Sequence, residues 1–252
     1  MKSPIRSPLS SKSGKFLKDL IPPESTISSF MLYAGDVELA LARSNRTVIA
    51  HTNKHVIYEF WAAIKTNKEK VVAAVEEFYP QLDSMLFHYL QESWPQFGDV
   101  YTRAAFFFLL NRCSEYGKTS TGGLTKTHFT PESIRYLKNF EGINFHPFWD
   151  KEENALEGLS VATHTDFILL PAGKFNFNLF EYGKSRGHDM ASINHRDLHA
   201  RVQSMDKKMI IVYQKHPQLF QMYADYDIHM IDKYGRPTSN RDNCEELIIV
   251  NF

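Results

Sequence analysis

Between Lys54 and Leu110 four helical segments follow one another without a strand, and on both sides of them strand and helix alternate. Val56–Lys65, Lys68–Phe78, Leu82–Gln91 and Val100–Leu110 carry apolar residues at three- and four-residue spacing, the period of a helix that buries one face. Before them, Ile27–Tyr33 has strand character, Ala34-Gly35-Asp36 reads as a turn, Val37–Ala42 as a helix and Thr47–Ala50 as a second buried strand. A strand, glycine turn, helix and strand in that order open a parallel α/β sheet. The rhythm returns after Phe140, with strands over Asp166–Leu170, Met209–Tyr213, Ile228–Asp232 and Glu246–Phe252 and helices over Asn194–Gln203 and Pro217–Tyr223. The expectation is one α/β domain, residues 1–60 and 141–252, divided by a helical insert over residues 61–140.

Composition excludes several classes. With 252 residues, 43% of them apolar, the chain can fill a sizeable core. Lys plus Arg and Asp plus Glu both number 29, so a nucleic-acid partner would have to be met by charge gathered on one face. Cys113 and Cys244 form no C-x-x-C pair, which argues against a disulfide framework or a thiolate zinc site. No apolar run approaches the roughly 20 residues that span a bilayer, and the basic, Ser-rich start has no hydrophobic signal core. A soluble, cytoplasmic protein with no membrane partner is expected.

Local chemistry marks three further places. The first fifteen residues are polar and turn-rich, the composition of a frayed tail, and are followed by a short helix over Phe16–Leu20 that ends at Pro22-Pro23. Cys113–His128 is rich in Gly, Ser and Thr and reads as an exposed loop or hairpin. Thr130-Pro131 then starts a helix, Thr130 as cap and Pro131 in its first turn.

Taken in order, these segments resemble the adenine-specific DNA methyltransferases of the Dam kind. SPIRSPLSSK (Ser3–Lys12) is similar to that family's S-P-L-R-Y-P-G-G-K opening, VELALA (Val37–Ala42) to the helix after its glycine-rich cofactor turn, and FFFLLNRCSEYGKTSTGG (Phe106–Gly123) to its F-x-L-N-R-x-S-x-x-G segment. FTPESIRYLKNF (Phe129–Phe140), YG at Tyr182-Gly183, INHRDLH (Ile193–His199), MIIVY and EELIIVN (Glu245–Asn251) follow as in the family's remaining length. The resemblance implies a Rossmann-like methyltransferase sheet with an inserted helical target-recognition subdomain. It also implies DNA-facing roles for Asn111, Arg112, Lys118, Thr119 and Lys126, with double-stranded DNA as partner. Stand-alone relatives are frequent in phages, so host-cell cytoplasm is the implied compartment.

The departures from the family fall where its chemistry lies. The catalytic D-P-P-Y loop, whose Asp and neighbouring carbonyl accept bonds from the adenine amino group while the Tyr stacks on the flipped base, aligns with Leu170-Pro171-Ala172-Gly173. Its glycine-rich cofactor turn aligns with Met31-Leu32-Tyr33-Ala34-Gly35-Asp36, which keeps one glycine and puts Tyr33 where bulk is least welcome. The acid that would hold the ribose hydroxyls is His51, and G-G-K is Ser10-Ser11-Lys12. The degenerate cofactor positions are thus Lys12, Tyr33, Ala34, Gly35 and His51, and no cofactor is expected.

Plainer readings stand beside these. Gly35 serves many α/β turns that touch no ligand, and Asn111-Arg112 either contacts phosphate or caps its helix. Lys118, Thr119 and Lys126 belong either to a DNA-facing loop or to an ordinary solvated hairpin. His51 with His55 and His195 with His199 stand four apart, but no third ligand is apparent and no metal is expected. His188 and Asp189 near His195 lack a nucleophile, and Phe106-Phe107-Phe108 suits a helix core better than a stacking platform. Three functional expectations result. The first is a catalytically inactive homologue that binds DNA or serves as a scaffold for an active methyltransferase subunit. The second is an active S-adenosylmethionine-dependent adenine methyltransferase in which Asp166, Asp36 or Asn53 replaces the lost groups. The third is a reshaped pocket, with His51 and Tyr33 facing an anionic ligand.

Overall fold

The computed structural model describes residues 3–7, 11–115, 117–151, 156–161, 164–175 and 194–252. Its elements are α1 (Gly14–Leu20), β1 (Thr26–Ser29), α2 (Asp36–Ala42), β2 (Thr47–Thr52), α3 (His55–Phe78), α4 (Ser84–Ser93), α5 (Val100–Cys113) and α6 (Pro131–Lys138). They continue with β3 (Phe145–Trp149), β4 (Phe167–Gly173), α7 (His195–Ser204), β5 (Lys208–Gln214), α8 (Pro217–Met222), β6 (Asp227–Asp232) and β7 (Cys244–Val250).

The seven strands form one sheet in the order β3-β2-β1-β4-β5-β7-β6. β7 runs antiparallel to both β5 and β6, and the other strands are parallel to one another. This is a Rossmann-like arrangement: the chain winds outward from β1 to β3, returns to β4 beside β1 and winds the other way. Ile168–Leu170, Ile210, Leu247 and Ile248 are wholly buried, as expected for central strands covered on both faces.

Two strands depart furthest from the sequence reading. β1 stops at Ser29 rather than running to Tyr33, because Met31 takes a left-handed φ of 65° and turns the chain out of the ladder. β3, Phe-His-Pro-Phe-Trp, has no counterpart among the expected strands. It is an edge strand that buries only Phe145, so it lacks an apolar alternation to read. Asn144 accepts from Val48 and Asp150 donates to Thr52, so even-numbered positions pair with β2 and Pro147 faces outward, where its missing N–H blocks further pairing.

The described residues divide into two compact units. One holds 3–7 and Lys54–Gly142; the other holds Ser11–Asn53, 143–175 and 194–252. Helices α3 to α6 all belong to the first of these units, together with residues 3–7. Within it α5 is buried from Ala104 to Leu110 on every side, the mark of a central helix. Phe60 and Trp94 reach Phe107 at 5.0 and 5.7 Å, and Phe78 and Phe97 reach Phe106 at 4.7 and 4.8 Å, so the phenylalanine trio is core. α3 carries the break expected between its two halves: Asn67 leaves helical geometry and its side chain caps Lys70 N–H. At α6, Thr130 and Ser133 cap each other's backbone, with Pro131 in the first turn.

Among the described residues no helix is long and apolar enough to cross a membrane.

Candidate functional site: a closed crevice at the switch point

In an open parallel sheet, ligands bind outside the carboxyl ends of the strands where the winding reverses, here between β1 and β4. The residues that leave β1 occupy that place themselves. Phe30 N–H donates to Leu169 O at 2.9 Å and Leu32 N–H donates to His51 O at 2.8 Å, so three residues lace β4 to β2 across the end of β1. The left-handed turn at Met31 makes that crossing. Phe30, Met31 and Leu32 are 0%, 3% and 0% exposed.

The floor and roof of the crevice are fitted to the Phe30 ring. It stacks on the His51 imidazole with centroids 4.4 Å apart, and His51 Nδ1 lies 3.1 Å from Asp150 Oδ1. Phe148 tilts against the same imidazole at 5.0 Å. Above, the 3-10 turn over Glu157–Val161 brings Gly158 so near that a Cβ there would lie 3.0 Å from Phe30 and 3.3 Å from Asp150 Oδ2. Glycine lets the turn press onto ring and carboxylate.

The structure places the positions that the resemblance assigns to S-adenosylmethionine as follows. The position that would carry a carboxylate for the ribose diol is His51, and Asp150, one strand over, is held by that histidine. At the turn that the resemblance aligns with the family's glycine-rich one, Met31, Leu32 and Ala34 are buried, as is Phe30 just before it. Of the remaining cofactor positions, Tyr33 is half-buried, Ala34 is buried and Gly35 caps α2 with a φ of 68°. Lys12 has an exposed side chain, while its backbone N–H donates to Glu246 at 2.7 Å. Ser11 and Ser13 bind the same carboxylate, so the start of this unit is pinned to β7 rather than frayed.

Leu170, Pro171, Ala172 and Gly173 are the last four residues of β4, not a loop after it. Leu170 and Ala172 are wholly buried, and the register with β5 shifts between Pro171 and Gly173, so that Pro171 pairs with Val212 and Gly173 with Tyr213. Asp166 sits at the amino end of β4, opposite the end that carries Leu170 to Gly173, and accepts from Thr26 N–H at 2.8 Å.

One titratable group here was not singled out in the sequence. Glu38, in the first turn of α2, is 3% exposed and accepts from Ser29 Oγ at 2.9 Å. Burial pushes its carboxyl from 4.5 to about 7, opposed by hydrogen bonds from backbone and Ser29 and aided slightly by Asp36. Its signal was a lone acid in V-E-L-A-L-A, on the face shared with Leu41 and Ala42.

The proposed DNA-facing residues lie in the helical unit with unequal access. Asn111 is wholly buried and clamps the backbone of Arg6, accepting from its N–H at 2.6 Å and donating to its carbonyl at 3.0 Å. Its amide also donates to Gly117 O at 2.7 Å, and Arg112 donates to the carbonyls of Pro4 and Ser3. These two side chains organise the start of the chain. Thr119 is 2% exposed, so the loop expected to be open is in part a packed hairpin, closed by the Ser114–Leu124 bridge. Lys118 is half-buried, and Lys126 is exposed with its Nζ 5.1 Å from the Tyr79 ring centre. His128, also missed in the sequence, has its imidazole held below the usual range by burial first and then by Arg6 and Arg112, which marks a positive local field.

His51 lies in β2 and His55 at the start of α3, so they do not share a helix face. His195 and His199 do share α7, but His195 Nδ1 meets Tyr213 OH at 2.9 Å. Among the described residues no three His, Cys, Asp or Glu side chains gather as metal ligands. Tyr182, Gly183, His188, Asp189, Ile193 and Ser10 lie outside the described residues. Compared with protein-family models and with curated proteins, the chain finds no match.

Proposed function

We propose that this chain is a methyltransferase-like pseudoenzyme: a Rossmann-like protein that has closed its cofactor crevice and binds double-stranded DNA without modifying it. One observation carries the reading. The Phe30 ring, wholly buried and stacked on an Asp150-bound His51, stands where a donor molecule would need open space. The basic surroundings of His128, with Arg6, Arg112, Lys126 and Lys118 in the same unit, support a polyanionic partner. On this reading the protein masks recognition sites on DNA, or holds an active methyltransferase subunit on them.

Titration with S-adenosylmethionine by isothermal calorimetry tests the closed crevice, and binding at micromolar affinity would overturn it. Gel-shift titration with an unmodified duplex tests the second half. Binding should weaken with salt and in Lys118→Gln/Lys126→Gln, and a chain that retains neither duplex nor an active methyltransferase has no such function. A second reading, an active enzyme with a rearranged site, has the Glu38 carboxyl at the end of β1 in its favour. Transfer of tritium from labelled cofactor to unmodified DNA, abolished by Glu38→Gln, would establish it.

A further inference from the structure

Beside the closed crevice, at the carboxyl ends of β4 and β5, the sheet unit keeps an open cleft of about 670 Å³. That volume lies within the range of small-molecule sites, on the side of the sheet where ligands are bound. Its back wall is a stack of rings. Phe175, two residues past β4, lies near-parallel to His195 and to His216 at 4.6 and 4.7 Å, and His195 is fixed in turn by Tyr213. Met222 adds an apolar contact at the end of α8.

The rest of the lining offers hydrogen-bond donors. Arg196, on the first turn of α7, makes no side-chain hydrogen bond or ion pair among the described residues, while its neighbour Asp197 is bound by Arg201 at 3.1 Å. Asn194 spends its side-chain oxygen on the N–H groups of Arg196 and Asp197, leaving its NH₂ as the group to present. Gln218 and Gln221 stand one turn apart on α8 with side-chain amides unengaged among the described residues. Among the described residues Tyr223 and Tyr226 lie near-perpendicular to the His199 ring, with centroids at 5.0 and 6.2 Å. No Asp or Glu is among the described residues that line the cleft.

Among the described residues the wall is rich in donors, with the positive charge of Arg196 and no carboxylate, which is complementary to an anion with several acceptor oxygens. We infer that this cleft binds a phosphate group, with Arg196 as its charge partner and Asn194, Gln218 and Gln221 as hydrogen-bond donors. The phosphate belongs either to a free nucleotide or to a nucleic-acid backbone, and the two sources are separable. The inference is independent of the closed crevice, since it concerns other strands and needs no S-adenosylmethionine.

The test is calorimetric titration of the whole chain with adenosine 5′-monophosphate, with adenosine, and with a short unmodified duplex, for the native protein, Arg196→Gln and Gln221→Glu. Arg196 and Gln221 are both exposed, so the variants should keep the native melting profile. Adenosine monophosphate should bind at millimolar affinity or tighter, adenosine should not, and each variant should weaken binding by about tenfold or more, as loss of a charge-assisted contact does. If the variants weaken only the duplex, the ligand is backbone phosphate. Equal binding of adenosine and its monophosphate, no binding of any probe, or affinities that both variants leave intact would overturn the inference.

Discussion

Replacing Glu38 by glutamine should remove most of the pH dependence that a buried acid imposes on the sheet unit. Glu38 is 3% exposed, and its carboxyl is raised from 4.5 to about 7 chiefly by burial. Because the folded value lies above the unfolded one, the native state binds the extra proton between these two values. Glu38 therefore contributes stability that is whole below pH 4.5 and is lost as pH rises through about 7. At about 1.4 kcal/mol per tenfold change in proton affinity, the loss amounts to roughly 3 kcal/mol. Glutamine keeps the shape and can still accept from Ser29 Oγ, but it has no charge to bury. Urea unfolding at pH 4.5 and pH 8 should show Glu38→Gln gaining roughly 3 kcal/mol on the native chain over that interval. Histidines that titrate in the same range cancel in the difference. Carbon-13 NMR of the Glu38 carboxyl should give a midpoint of about 7. A stability difference that does not change with pH, or a midpoint at 4.5, would refute the reasoning.

Phe30→Ala empties a wholly buried site against His51 and should cost roughly 3–5 kcal/mol; an unchanged thermal melt would show that the ring does not pack there. Asn111→Ala leaves the Arg6 N–H, the Arg6 carbonyl and the Gly117 carbonyl without this partner, at roughly 1–3 kcal/mol. Limited proteolysis should then cut ahead of Lys12 sooner than in the native chain, and equal cleavage rates would contradict the clamp. Burial pushes the Cys113 thiol up to about 12 and raises that of Cys244 as well. Neither should react with a thiol reagent at pH 8 until the chain is unfolded, so a fast phase in the native protein would count against both placements.

What the sequence determined by itself was local. Helical spacing marked α3 to α5, including the break that the structure puts at Asn67, and the Thr130-Pro131 start of α6 was visible because a cap is decided within one turn. Buried central strands such as β4 and β5 were legible as apolar runs. β3 was not, because an edge strand that buries only Phe145 has no pattern of its own and is a strand only by pairing with β2. The tertiary structure alone decided that Phe30 closes over His51, that Asp150 serves His51 from another strand, and that Glu246 and Asn111 pin the first residues of the two units. Apart from Phe30 and His51, the residues in these contacts lie about a hundred positions or more apart, and no short-range propensity encodes which distant partner a polar side chain will meet. They exist because burial leaves each such group the choice of a partner or an uncompensated desolvation, and only the folded chain supplies the partner.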